Sequence, residues 1–87
     1  MDQYKLVKEI IKTCKYFRIF DYETNNLYLQ KKIIDGLDDI IFVENLLNVI
    51  YTKMRLKRFQ RTLNQKRLKK LLIELEKVRL NLEFKGV

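Results

Sequence analysis

The stretch KMRLKRFQRTLNQKRLKK, Lys53 to Lys70, lies between the most hydrophobic run of the chain and a heptad-like leucine pattern. Whether it is one rod or a corner sets the number of helices. It holds nine Lys or Arg residues and no acid, and it carries its own apolar stripe, Leu56, Phe59 and Leu63. No residue in it breaks a helix covalently. The apolar stripe nevertheless turns. At 3.6 residues per turn, the face of Leu56, Phe59 and Leu63 lies roughly 90° from the face of the leucines that follow. A straight helix cannot hold both against one partner. A kink or tight turn is therefore expected near Thr62 to Gln65, where Thr-x-x-Gln resembles a capping box. One continuous helix is the alternative.

Downstream, Leu68, Leu71, Leu75, Val78 and Leu82 step by three and four residues, the spacing of a heptad seam. It covers only two heptads. Packing inside a bundle is the expected use of this seam. A homodimer or a protein partner is the alternative.

Upstream, Ile40 to Met54 is apolar on most of a helical circumference, with Glu44, Asn45, Asn48, Thr52 and Arg55 as its polar stripe. Such a helix is expected at the centre, packed by those before it. Asp38 or Asp39 would cap its start. A short helix, about Thr24 to Asp35, precedes it, with Leu27, Tyr28, Ile33 and Ile34 facing inward and Gly36 as a left-handed stop. Asp21 to Asn26 reads as a connection. The first helix runs from about Asp2 to Phe20. Tyr4, Val7, Ile10, Ile11, Cys14 and Phe17 form its apolar face, and Lys5, Lys8, Glu9, Lys12 and Lys15 the opposite one. Tyr16, Phe17, Phe20, Tyr22 and Tyr28 gather at the first corner, where a core plug is the expected role and a base-stacking platform the alternative. The fold class is all-α: a small antiparallel bundle of three to four helices, with residues 1–87 as one domain.

Composition limits the chemistry. Hydrophobic residues make up 47% of the 87-residue chain and charged residues 34%, enough for a core and too much for a disordered tail. Alanine, serine, histidine, tryptophan and proline are absent. Without Ser or His no serine triad can form. A single cysteine and no histidine leave no ordinary zinc site and no intrachain disulfide. Cys14, on an apolar face, is expected to be a buried, inert hydrophobe. Asp35, Asp38, Asp39 and Glu44 are read as caps and solvated charge rather than a metal site. No catalytic residue, metal or cofactor is expected. The N-terminal MDQYKLVKEIIKTCK has no uninterrupted apolar stretch and does not read as a secretory signal. Ile40 to Val43, the longest apolar run, is too short to span a bilayer. A cytoplasmic location is expected. The abundance of Lys, Ile, Asn and Tyr fits an AT-rich genome, such as that of a low-GC bacterium, phage or plasmid.

The net charge of +8 is unevenly placed: residues up to Thr52 carry a net −1, and those from Lys53 onward a net +9. Such segregation points to nucleic acid or another polyanion as partner. On one helix, Arg55, Arg58, Lys66 and Lys69 would fall within about 80° of one another, with Arg61 at the edge, over roughly 21 Å. That arrangement suits phosphates along a groove edge. Gln60, Asn64 and Gln65 are interspersed and could reach base edges. The expected function is thus nucleic-acid binding of a regulatory kind, not enzymatic. The second expectation is a helical protein–protein interaction module, a small regulator, inhibitor or immunity-type protein, using the apolar and heptad faces. No helix-turn-helix, Walker loop or GxGxxG can be placed.

Overall fold

The computed structural model describes residues 2–19, 26–56 and 65–85. Within them lie four helices and no strand: α1 (Gln3–Phe17), α2 (Asn26–Gly36), α3 (Ile40–Met54) and α4 (Gln65–Lys85). The fold is an all-α bundle. α1 packs on α2 and α4, and α3 packs on α2 and α4, so the helices close a ring.

Neighbours run antiparallel. Gln3 and Leu6, at the start of α1, share a hollow with Leu37 beyond α2 and with Val78, Leu82 and Lys85 near the end of α4. Glu9, further along α1, reaches back to Arg67 in the first turn of α4. Glu76 raises the pKa of the Arg79 guanidinium most, Glu83 less, and Glu44, early in α3, least. The long axis of the molecule is 40 Å.

The caps explain the boundaries. Asp2 begins α1, its Oδ1 accepting from the Lys5 N–H at 2.8 Å. Asp39 begins α3, accepting from the Ile41 N–H at 2.9 Å. Each satisfies one of the amides that a helix start leaves without a partner. α1 stops at Phe17, short of Phe20, because Arg18 turns left-handed (φ 55°, ψ 43°). The Arg18 N–H donates to the Lys15 carbonyl and the Ile19 N–H to the Cys14 carbonyl. This is the Schellman pattern, and Ile19 buries itself beside it.

Gly36 was the expected left-handed stop, and it is not one: no described glycine has a positive φ. Gly36 is the last residue of α2, and a Cβ there would run into Cδ1, Cε1 and Cγ of the Phe42 ring. Its role is close approach of α2 to α3 across the turn of Leu37 to Asp39. Gly36→Ala is therefore expected to lose about 1–3 kcal/mol to overpacking, even though Ala is the better helix former by ~1 kcal/mol. In a Phe42→Ala background the same change should become neutral or stabilising. Urea unfolding of the four proteins in this cycle tests both signs.

The buried side chains form one cluster drawn from all four helices. α1 supplies Leu6, Val7, Ile10, Cys14 and Phe17. Tyr4, expected on that face, is 60% exposed. α2 supplies Ile33, with Leu29 also buried, and Leu37 joins the core just beyond its end. Leu27, Tyr28 and Ile34, expected inward, are exposed. The stripe at four-residue steps, Leu29–Ile33–Leu37, is the buried one instead. α3 supplies Val43, Leu46, Leu47 and Ile50, while Ile41, Val49 and Tyr51 face outward. It is therefore one member of the ring and not a central helix. Its apolar circumference exceeds what a four-membered ring can cover. Among the described residues no buried side-chain N or O atom lacks a hydrogen-bond partner. No described helix is long and apolar enough to cross a membrane.

Candidate polyanion interface

The basic stretch is not one helix. α3 ends at Met54, Arg55 caps it, and α4 begins at Gln65. The arc joining Arg55 to Lys66 and Lys69 required a continuous helix, so it does not apply. Arg58, Arg61 and residues 62–64 of the corner expected near Thr62 to Gln65 lie outside the described residues, and Gln65 opens α4. Arg55 is exposed one residue beyond α3, and Lys66 and Lys69 are exposed on α4. Among the described residues none of the three has a carboxylate partner. Spaced by three positions, Lys66 and Lys69 lie about 60° apart on the helix.

α4 is divided along its length. In its second half Lys77 pairs with Glu74 at 3.4 Å, and Arg79 bonds both Glu76 and Glu83 at 2.9 Å. These contacts are largely exposed, so they contribute little stability, but they cancel local charge. In its first half Lys66, Lys69 and Lys70 meet no described acid. Its first turn contains no acid either and carries Lys66 and Arg67. Cations there face the positive end of the helix dipole, which disfavours them by about 0.3–1 kcal/mol each. Stability alone would not place them so.

Arg67, outside the expected site, is the basic residue of α4 that ties the helix to α1. Its Nε and Nη2 donate to both carboxylate oxygens of Glu9. The guanidinium bonds hold the Glu9 carboxyl below its ordinary range, and Glu9 in turn raises Arg67. Lys5, Lys8 and Lys12 from α1 and Arg67 and Lys70 from α4 line a surface hollow of about 260 Å³ around Glu9. Its single carboxylate is neutralised by Arg67. The remaining lysines present an array of ammonium groups to solvent, with donors only and no acceptor. Such an array can hold phosphates or carboxylates as point charges. Lys8 also places its Nζ 4.3 Å from the centroid of the Tyr4 ring, a cation–π contact.

Sequence reasoning missed this hollow. The lysines of α1 were legible as a stripe at three- and four-residue steps. Their apposition to α4 depends on a contact between residues 58 positions apart.

The leucine seam turns inward. Leu68, Leu71 and Leu75 are buried in the core, and Val78 and Leu82 pack partly buried at its edge. Cys14 is buried, and burial pushes its thiol pKa up to about 12, far from that of a reactive thiolate. Phe17 belongs to the core and meets Tyr16 edge-on at 5.3 Å. Phe20 and Tyr22 lie outside the described residues. Asp39 is used as a cap, and the described residues contain no group of three potential metal ligands. Comparison of the chain with models of protein families, with curated proteins and with solved structures gives no match.

Proposed function

We propose that this protein binds nucleic acid through a cationic surface formed by the lysines of α1 and the first half of α4. The observation that carries the reading is the α1–α4 hollow, where Lys5, Lys8, Lys12 and Lys70 surround a carboxylate that Arg67 already neutralises. Lys66 and Lys69 carry the positive charge on around the exposed side of α4, and Arg55 is a further exposed cation just beyond α3. The proposed role is binding, not catalysis: a chain without Ser or His offers phosphates a positive surface but assembles no acid, base and nucleophile set.

Titrating a labelled oligonucleotide with the protein at several salt concentrations tests the reading. Log affinity is expected to fall linearly with log salt, with a slope of about −0.9 for each phosphate neutralised on a duplex and about −0.7 on a single strand. Affinity independent of salt, or no binding at low ionic strength, would sink the proposal. The alternative reading, a helical protein-interaction module, draws its support from the outward side chains of Leu27, Ile41 and Phe84 rather than from the leucine seam.

A further inference from the structure

On the other side of the α1 lysine ridge lies a second hollow, between α1 and α2, of about 430 Å³. Its walls differ from those of the first. Val7 and Ile11 give it an apolar floor, Tyr4 an aromatic edge, Lys15 a further cation, and Gln30 an amide from α2. Lys8 and Lys12 line both hollows. They stand on a ridge with an aromatic-edged recess on one flank and a cationic trough on the other.

We infer that the ligand is single-stranded nucleic acid, with its backbone on the lysine ridge and an unstacked base in the α1–α2 hollow. The inference rests on the proposed nucleic-acid reading and narrows it. Phosphates alone need only the trough. An acidic peptide would need only the lysines as well, and its carboxylates have no use for an apolar floor beside them. A base does: it has an apolar face to stack and a polar edge to satisfy. Tyr4 is 60% exposed, with a broad aromatic surface at the rim. Gln30 offers both a donor and an acceptor to a base edge. The hollow lies within the size range of small-ligand sites, about 300–1,000 Å³. A duplex keeps its base faces stacked and cannot fill it. From Lys5 to Lys12 the ridge is about 10 Å long, so backbone and base can be engaged together. The Lys8 ammonium over the Tyr4 ring would exchange that contact for a phosphate.

Fluorescence anisotropy with a labelled single-stranded oligonucleotide and the duplex of the same sequence tests this, using the wild type, Tyr4→Ala, Tyr4→Phe and Gln30→Ala. Single strand is expected to bind at least roughly tenfold more tightly than duplex. Tyr4→Ala should weaken single-strand binding roughly five- to tenfold, the lower part of the range for loss of one stacked base, and leave duplex binding unchanged. Tyr4→Phe should retain it. Gln30→Ala should reduce any preference between oligo-dA and oligo-dT. Circular dichroism of each variant guards against loss of fold. Equal affinity for both forms, with Tyr4→Ala silent, overturns this inference while leaving the broader reading intact. Binding to neither form overturns both. Displacement of single strand by polyglutamate at equal charge, with Tyr4→Ala silent, overturns the inference in favour of a simple acidic partner.

Discussion

Leu75→Ala is expected to remove about 2–5 kcal/mol of stability, the range for truncating a buried leucine where the neighbours cannot close the space. Leu75 has no exposed surface and lies in the cluster where α4 packs on α1 and α3. Small domains are stable by only about 5–15 kcal/mol, and this chain has no disulfide to offset a loss. Leu75→Asp should therefore leave little folded protein at room temperature. The dependence on protein concentration makes the result informative. A leucine seam joining two copies would give an unfolding midpoint that rises with concentration. A seam committed to its own bundle gives a midpoint that does not. Urea unfolding at two concentrations a hundredfold apart decides between them, and no dependence is expected.

The combined change of Lys66, Lys69 and Lys70 to Glu should separate binding from folding. All three are exposed and meet no described carboxylate, so their loss breaks no pairing in the fold. Two effects then carry opposite signs. Oligonucleotide binding should fall by roughly a hundredfold or more at low salt, because three attractions become repulsions at a polyanion. The magnitude of the salt slope should drop by about 2–3 through the lost phosphate contacts. Stability should hold or rise by up to ~1 kcal/mol, because an acid near the positive end of α4 suits the helix dipole better than a lysine does. A triple variant that unfolds, or one that binds like the wild type, would remove this face from the site.

Much of the bundle is legible in the sequence because its signals are local. An aspartate at 38 or 39 marks the start of α3 by cap chemistry, and the spacing of Val7, Ile10, Cys14 and Phe17 gives the inward face of α1 without reference to any other element. α2 was harder. Its residues offer two apolar stripes, Leu27 with Ile34 and Leu29 with Ile33 and Leu37, and only the position of α1 and α3 selects the second. Gly36 and Arg18 show the same limit. A glycine after a helix suggests a left-handed stop, yet its value here lies in the approach of Phe42. The left-handed residue is an arginine, whose type carries no such signal. α3 looked central because it is rich in Ile, Leu and Val, but a ring of four has no central member. In the candidate site, Lys66 and Lys69 stand out in an acid-free run. Lys5, Lys8 and Lys12 join them only through the pairing of Glu9 with Arg67, which no local pattern announces.

The antiparallel ring gathers chain ends of like charge. Asp2, Asp35, Asp38 and Asp39 lie toward one pole of the bundle, with Lys85 beside them, and Arg55, Lys66, Lys69 and Lys70 toward the other. The molecule thus has a compass-like charge moment. Near a negatively charged polymer it experiences a torque, so its tumbling is biased before the surfaces touch. That bias shortens the rotational search and raises the association rate when ions are scarce. It fades once the screening length, about 8 Å in physiological salt, is much shorter than the separation of the poles.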